Sequence, residues 1–259
     1  MNSLVKYWNE CDLSKGPYVH PADEKAIGKE AEFSDRRLLN HRKFIDSDRF
    51  GLSGDKTFHL SLLPVPYQGN LATADIFLLF LNPGLGLNDY YTDDDKLHSE
   101  RHRRIIRQDL DGVDYPYLSL DPLFSWSGGF QYWEKKLRKH LRAVADERFG
   151  GHYVGALKHL GSRLATIEIV PYHSARFGAG RLIAKMPSAG QATSFVWEHL
   201  VPKAKAGAIT LIATRQIKML NLPENCKDIV VYKGPLARGA HLGPGTPGGD
   251  AISRRLKYS

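Results

Sequence analysis

The chain has 259 residues, 42% of them hydrophobic, which is enough to bury a sizeable core as one α/β domain or as a domain with an extension. A formal net charge of +8 favours a polyanionic partner, and the two cysteines are too few for a disulfide framework or a four-cysteine metal or iron–sulfur site. No apolar stretch reaches the length of a membrane-spanning helix, and residues 1–15 carry charges where a signal peptide needs an apolar core, so we expect a cytoplasmic protein.

Residues 1–55 are polar and weakly periodic, and we expect an N-terminal extension that packs on a core formed by residues 56–259. In that core, apolar β-rich runs alternate with amphipathic helical runs. The predicted elements in chain order are strands at 59–63 and 76–81, helices at 131–148 and 154–164, a strand at 165–170, a helix at 192–206, a strand at 208–213, a helix at 215–220 and a strand at 228–232. This alternation predicts a largely parallel sheet with helices on both faces.

Ligands of such sheets bind beyond the carboxyl ends of the strands, which directs attention to the loops that follow them. The loop after the second predicted strand reads "LNPGLGLNDYY". Pro83 lacks a backbone donor and disfavours helical geometry at Asn82, while Gly84 permits close approach of the backbone. An isolated Asn-Pro-Gly is also typical of an ordinary turn, and no Gly-Lys-Ser/Thr follows that would indicate a phosphate-binding loop.

The loop after the last predicted strand contains "HLGPGTPGGD", in which His241 precedes two prolines and four glycines. This composition predicts a binding loop rather than a helix, with His241 as its one group of catalytic type. A lone loop histidine can equally be a surface group.

Together these segments resemble the uracil-DNA glycosylase superfamily, and within it the mismatch-specific and single-strand-selective monofunctional branches. "LNPGL" resembles their G-x-N-P-G motif without its leading glycine. "HLGPGTPGGD" resembles their second motif in its histidine, its two prolines and its paired glycines, although Leu242 replaces the usual proline and Gly243 a serine. The resemblance runs in order over about residues 75–256 and implies a three-layer α/β/α fold with a central, mainly parallel four-stranded sheet.

The resemblance implies a monofunctional DNA glycosylase that uses neither a metal nor a cofactor. Asn82 would hold the attacking water through its side-chain carbonyl, and His241 would donate a hydrogen bond to the O2 atom of the leaving base. "DYPYL" resembles the segment that supplies a base-stacking aromatic, which makes Tyr117 the matching residue, with an ordinary core aromatic as the alternative.

"IEIVPYH" resembles the strand-end segment that reads the flipped base, which includes Glu168 and Tyr172. Uracil-reading relatives place an asparagine at the position of Glu168, whereas a carboxylate only accepts hydrogen bonds and suits the N4 amine of cytosine. Gly84 leaves open a side that a bulky aromatic blocks in strict uracil enzymes. The hypothesis is a 5-modified cytosine, hydroxymethylated or glucosylated, in phage DNA, and hence antiviral defence. Alternatively, Glu168 is a strand-end charge paired with a neighbouring Arg or Lys.

DNA contacts are predicted from the basic segment "HSERHRRIIRQ", from the basic residues at 135–139, and from the loops. The predicted DNA-binding residues are Arg101, Arg104, His173, Arg176, Arg238, Gly243 and Gly245. A solvated helix face explains such basic runs as well. We expect a monomer with no membrane partner.

Three other functions fit parts of this pattern. One is a housekeeping uracil or mismatch glycosylase, which an asparagine at position 168 would have favoured. Another is a protein that binds modified DNA without cutting it, which loss of Asn82 or His241 would have indicated. The third is an unrelated α/β enzyme with a phosphosugar or nucleotide substrate.

Overall fold

The computed structural model describes residues 2–28, 33–214 and 220–257, except for the side chain of Arg238. Its α-helices are α1 Ser3–Asn9, α2 Glu24–Gly28, α3 His41–Ile45, α4 Asp89–Asp94, α5 Lys96–Arg107, α6 Gly128–Phe149, α7 Tyr153–Arg163, α8 Pro187–Phe195, α9 Val201–Lys205, α10 Gly234–Gly239 and α11 Pro247–Lys257. Its strands are β1 Ser34–Asp35, β2 Phe58–His59, β3 Tyr67–Gln68, β4 Ile76–Phe80, β5 Leu164–Glu168, β6 Thr210–Ala213 and β7 Ile229–Val231. Short 3₁₀ helices lie at Pro21–Asp23, Leu118–Leu120, Pro122–Phe124 and Gly180–Lys185, and a π-helical turn at Val196–Leu200.

The chain divides into two compact units. The first unit comprises Met1–Tyr67, Asn82–Asp109 and Glu168–Phe195, and the second comprises Gln68–Leu81, Leu110–Ile167 and Val196–Ser259. The predicted organisation, an extension over residues 1–55 and a catalytic domain over residues 56–259, stays a prediction. None of the helices in the described residues is long and apolar enough to cross a bilayer.

The second unit contains nearly all of a five-stranded sheet with the order β3-β5-β4-β6-β7. Strand β6 is parallel to both of its neighbours, β4 and β7, with Ile76 opposite Thr210. Strand β3 runs antiparallel to β5, because residues 66 and 69 at its two ends approach residues 168 and 164 respectively. The α/β class is therefore confirmed, but the four-stranded sheet is not. The additional strand β3 has only two residues, too few to show a hydrophobic period.

The central strands are buried along their whole length, which explains why their sequences are continuous apolar runs rather than alternating ones. Strand β4 and helices α6, α7 and α11 contribute to one hydrophobic cluster. Helix α6 begins after Ser127, whose side chain accepts a hydrogen bond from the Phe130 N–H, and it ends at Gly150 with a φ of 56°. The predicted strand at 76–81 and helix at 131–148 are thus confirmed.

Several predicted elements differ from the structure. The strand predicted at 59–63 is reduced to β2, which pairs with β1 in a separate two-stranded parallel sheet of the first unit. A turn after His59, closed by its carbonyl and the Leu62 N–H, ends the strand early. The helix predicted at 192–206 begins at Pro187 and changes to a π-helical turn before α9. The predicted helix at 215–220 lies outside the described residues except for Leu220.

The glycine-rich segment after the last strand contains more helix than its composition predicts. Helix α10 precedes His241, and helix α11 begins at Pro247, so only residues 240–246 form a loop. Proline is favoured in the first turn because its φ is already helical and its missing N–H has no partner there. The buried residues Ala251, Ile252 and Leu256 then hold α11 in the core.

In the first unit, α1 packs against α5 and α8. The Arg107 guanidinium donates hydrogen bonds to the backbone carbonyls of Asn9 at 2.6 Å and Cys11 at 2.9 Å. These carbonyls lie at and beyond the end of α1, where helical partners are missing. The basic pattern of this helix predicts contacts with phosphates. Arg107 instead stabilises the N-terminal segment.

Candidate active-site segments

Asn82 is half-buried and its side-chain orientation is fixed within the first unit. The Nδ2 group donates to Ser174 Oγ at 3.0 Å and, over a longer distance of 3.5 Å, faces the Tyr172 carbonyl oxygen. A carbonyl oxygen only accepts, so the NH₂ end of the amide must point this way. Among the described residues nothing donates a hydrogen bond to Oδ1, which is thus available to accept one from water.

Gly84 follows in the same loop with a φ of +79°, a conformation that favours glycine. An added Cβ at this position would meet no described atom within 4 Å. Its carbonyl accepts a hydrogen bond from Nδ1 of His173 at 2.9 Å. The Gly84 carbonyl therefore holds the loop in place, while the space that a side chain at position 84 would occupy is open.

His173 lies between two backbone carbonyls of the first unit. Nδ1 approaches the Gly84 carbonyl and Nε2 the Leu63 carbonyl, at 3.2 Å. The Asp89 carboxylate lies 3.8 Å from Nδ1. Both ring nitrogens are thus engaged, which leaves neither of them for a DNA phosphate in this conformation.

Tyr172 is buried, and its side chain joins the segment after β5 to the N-terminal part of the first unit. The hydroxyl donates to the Asp23 carboxylate at 2.7 Å and accepts from the His20 N–H at 3.2 Å. The other Asp23 oxygen accepts from the Ser188 N–H at 3.0 Å. Burial, together with the negative charge of Asp23, holds the pKa of Tyr172 well above its usual range. The predicted contact of Tyr172 with the base stays a prediction.

Glu168 ends β5 and is only 6% exposed. Its N–H donates to the Pro66 carbonyl at 3.0 Å. Burial of a carboxyl group costs free energy unless polar partners meet it. Arg176, farther along the same segment, is exposed, and its backbone N–H donates to the Asp55 carbonyl at 2.8 Å. The roles of both residues towards DNA stay predictions.

Two carboxyl groups of α4, those of Asp89 and Asp93, have raised pKa values. Burial raises the pKa of Asp89, while the neighbouring His173 and a hydrogen bond from the Gly86 N–H, at 2.6 Å, act in the opposite direction. Burial also raises the pKa of Asp93 to about 7, although the Leu63 N–H and Arg103 oppose the shift. Both residues belong to the acidic stretch after the Asn-Pro-Gly motif, but the sequence alone did not show that they are partly buried.

His241 is exposed in the second unit, and its loop is held by a network around Tyr232 and Thr246. The Tyr232 hydroxyl bonds to the His241 carbonyl and accepts from the Gly248 N–H at 3.1 Å. Thr246 Oγ1 lies 2.8 Å from the Gly243 carbonyl and accepts from the Gly249 N–H at 3.1 Å. No motif in the sequence predicts these roles of Tyr232 and Thr246.

Helix α6 lies against the same loop. Lys136 donates to the Ala240 carbonyl at 2.8 Å, and His140 Nε2 donates to the Leu242 carbonyl at 2.6 Å. Lys135 and Lys139 are exposed on this helix. Lysine side chains beside an exposed histidine loop form a surface suited to phosphate groups.

Tyr117 is fully buried in the second unit and packs edge-on against Trp133, with 5.4 Å between ring centroids. A fully buried ring offers no face to a base in this conformation. The structure therefore shows Tyr117 as a core aromatic, which is the alternative that the sequence left open. The role of a base platform stays a prediction that requires the ring to become accessible.

The remaining predicted DNA contacts lie in both units. Arg101 and Arg104 are partly exposed on α5, and Arg104 pairs with Asp109 at 3.1 Å. Gly243 and Gly245 lie in the His241 loop, Gly245 with a φ of +85°. The side chain of Arg238 lies outside the described part of the chain.

The predicted site residues thus fall into two groups by unit. The first unit contains Asn82, Gly84, Arg101, Arg104, Glu168, Tyr172, His173 and Arg176, and the second contains Tyr117, Arg238, His241, Gly243 and Gly245. In the described ranges, no three or more His, Cys, Asp or Glu side chains are grouped so that they could hold a metal ion. No protein-family model, curated protein or solved structure matches the chain.

Proposed function

We propose that this protein is a monofunctional DNA glycosylase that hydrolyses the N-glycosidic bond of a flipped, 5-modified cytosine and leaves an abasic site. The observation that carries the proposal is the orientation of Asn82, whose Nδ2 is held by Ser174 and whose Oδ1 is available for water. The fixed amide matches the need of a hydrolase that must hold water at one place relative to the sugar.

The reaction forms a bond between the water oxygen and C1′ of the sugar while the bond from C1′ to the base breaks. The bonding electrons leave with the base as an anion, and the proton that the water gives up passes through solvent to this anion, so that the products are the abasic sugar and the neutral base. Catalysis therefore requires a positioned water and a donor to the developing base anion. Asn82 supplies the first function and His241 the second. Asn82 cannot take the proton, which suits a base that is a good leaving group.

Base preference would come from Glu168 and Gly84. A buried carboxylate accepts from the N4 amine of cytosine but offers no donor to the O4 of uracil. Open space beside Gly84 leaves room for a substituent on C5, such as a hydroxymethyl or a glucosylated group. The host genome contains unmodified cytosine, so a safe substrate must be distinguished by that substituent, as in modified phage DNA.

The net charge of +8 and the exposed lysines of α6 support DNA as the partner. Extrusion of the base costs a few kcal/mol of stacking and pairing. The proposal includes a three-layer arrangement around the sheet, a monomeric state, a cytoplasmic location and a role in defence against viruses.

The test is to incubate the protein with single- and double-stranded DNA that bears uracil, cytosine, 5-hydroxymethylcytosine or glucosylated 5-hydroxymethylcytosine, and to measure alkali-labile abasic sites. We expect product from the modified cytosines, none after Asn82→Ala, and unchanged product after Asn88→Ala. Asn88 is a suitable control because it lies in the same loop and its side chain does not cap α4.

Product from uracil alone would contradict the cytosine preference and support a housekeeping uracil glycosylase. Tight binding of modified DNA without product would instead support a protein that only recognises it. No binding and no product from any substrate would refute the glycosylase proposal.

Glu168→Gln tests the reading of the base with little change in side-chain volume. The amide offers a donor where the carboxylate only accepts, so activity on the cytosine derivatives should fall by about 10- to 100-fold relative to uracil, the range of one base-specific contact. Unchanged relative rates for the four substrates would show that Glu168 does not read the base.

A further inference from the structure

The segment Tyr172–His173–Ser174 holds the motif Asn82–Pro83–Gly84 at both of its ends. The Tyr172 carbonyl and Ser174 Oγ face the Asn82 amide, and the His173 ring bonds to the Gly84 carbonyl. Ser174 is 1% exposed and the His173 side chain 13%, so these contacts are largely shielded from water. The same three residues therefore fix both the orientation of the Asn82 side chain and the position of the Gly84 backbone carbonyl.

The environment of the His173 ring determines how many protons it carries. Nδ1 lies 2.9 Å from the Gly84 carbonyl oxygen and Nε2 lies 3.2 Å from the Leu63 carbonyl oxygen. A carbonyl oxygen accepts but never donates, and a neutral imidazole has one N–H donor and one acceptor nitrogen. A neutral ring would place a nitrogen lone pair against an oxygen lone pair, whereas an imidazolium donates to both.

One acidic group lies beside the ring and favours its charged form. The Asp89 carboxylate of α4 lies 3.8 Å from Nδ1. Burial lowers the pKa of two nearby histidines, His59 and His102, so at neutral pH these rings do not add positive charge beside His173. The Asp89 carboxylate is therefore the charged group placed closest to Nδ1 among the contacts described for this ring.

We propose that His173 acts as a positively charged positioning residue that fixes the Asn82–Pro83–Gly84 loop, so that loss of its second proton releases the loop. The catalytic consequence rests on the proposed glycosylase function, whereas the protonation state does not. Deprotonation removes one of the two donors, and the Gly84 or the Leu63 carbonyl then loses its partner. The geometry of Asn82 relaxes although the protein remains folded.

The protonation state can be measured without any substrate. In the full-length protein with ¹⁵N-labelled histidine, NMR correlations within the imidazole ring report whether each nitrogen carries a proton, and His173→Gln identifies the signals of residue 173. We expect both nitrogens of His173 to be protonated at neutral pH, and His59 and His102 to be neutral. An unprotonated nitrogen on His173 at neutral pH would overturn the proposal, whatever the activity of the protein.

The positioning role is tested by single-turnover cleavage of the preferred DNA. His173→Gln should lower the rate of the chemical step by roughly 10-fold or more, because small displacements of a positioning group cost large factors in rate. The Kd for DNA should remain within about two-fold, since both ring nitrogens are already bonded to backbone carbonyls. The matched control is His199→Gln, which removes an exposed histidine and should change neither quantity.

The dependence of the rate on pH distinguishes positioning from a purely structural role. If the positioning role holds, any fall of the wild-type rate with rising pH should parallel the loss of the doubly protonated NMR signal, and this component should disappear in His173→Gln. An equal loss of rate and DNA affinity without a change in the pH profile would contradict positioning. If no DNA is cut at all, the NMR measurement still decides the protonation state, so the failure of one proposal does not imply the failure of the other.

Discussion

Ser174 and Ser188 are both buried serines of the first unit, but only one of them has a hydrogen-bonded hydroxyl. Ser174 Oγ accepts from the Asn82 amide at 3.0 Å. Ser188 Oγ makes no hydrogen bond among the described residues, although its backbone N–H donates to Asp23. Substitutions at these two serines can therefore distinguish the effect of losing a buried hydroxyl from the effect of releasing the Asn82 amide.

Ser174→Ala removes the partner of Asn82 Nδ2. We expect the free energy of unfolding to fall by about 1–2 kcal/mol, because the amide loses a shielded hydrogen bond. The rate of base release should fall by about 10-fold, because the amide becomes free to rotate. Urea unfolding and single-turnover cleavage measure the two effects. Ser188→Ala should leave the rate unchanged, and an equal loss of rate in both variants would argue against a specific role of Ser174.

At the scale of secondary structure, the first turn of α11 determines the path of the His241 loop. An added Cβ at Gly249 would lie 1.8 Å from the Gly243 carbonyl oxygen and 2.7 Å from that of Leu242. These are backbone atoms, which cannot rotate away as a side chain does. An added Cβ at Gly243 would make only an ordinary contact with Lys139, at 3.8 Å.

Gly249→Ala should therefore displace the loop, whereas Gly243→Ala should be accommodated. We expect Gly249→Ala to lower the free energy of unfolding by about 1–3 kcal/mol, as overpacking typically does, and to reduce cleavage. Thermal unfolding and the cleavage assay test both variants. Full activity of Gly249→Ala would show that the exact path of the loop is not needed for the reaction.

In the second unit, we expect the exposed face of α6 to contact DNA phosphates. Replacement of Lys135 and Lys139 by alanine removes two exposed positive charges from α6, and Lys139 lies beside Gly243 of the His241 loop. Each phosphate contact contributes about 0.9 to the slope of log K against log salt concentration, so the slope should decrease by about 2 for duplex DNA. Fluorescence anisotropy at several salt concentrations measures it. The matched double variant at Lys203 and Lys205, exposed on α9, should retain the wild-type slope.

For the molecule as a whole, the raised pKa of Asp93 predicts how stability depends on pH. Burial is its main cause and gives a folded-state value of about 7, against about 3.9 for an unfolded aspartate. Between these values the folded protein keeps a proton that the unfolded chain has released. Its contribution to stability is therefore fully present below about pH 4 and is lost as the pH rises to about 7.

Asp93→Asn keeps an oxygen that can accept from the Leu63 N–H but removes the titration. We expect the variant to be more stable than the wild type above pH 7, by on the order of 1–4 kcal/mol, and the difference to vanish near pH 4. Urea unfolding at pH 4, 6 and 8 provides the measurement. A difference that is independent of pH would indicate a change in packing rather than in ionisation.

Much of the fold was readable from local patterns. The apolar run before Asn82 predicted β4, and the helical spacing of Trp133, Leu137 and Leu141 predicted α6, because both elements bury side chains at regular intervals. Strand β3 was missed because two residues show no period. The start of α11 at Pro247 was missed because proline and glycine predict a loop when their neighbours in space are unknown.

The sequence by itself determined the α/β class, the strand that ends before Asn82 and the positive charge, since each depends on composition or on regular spacing along the chain. Only the tertiary structure decided that Asn82 presents its Oδ1, that His173 bonds to two carbonyls and that Tyr117 is buried. The first two features depend on contacts between residues far apart in the chain, such as that of Asn82 with Ser174. Directional bonds and burial arise from the packing of distant segments, which no local pattern encodes.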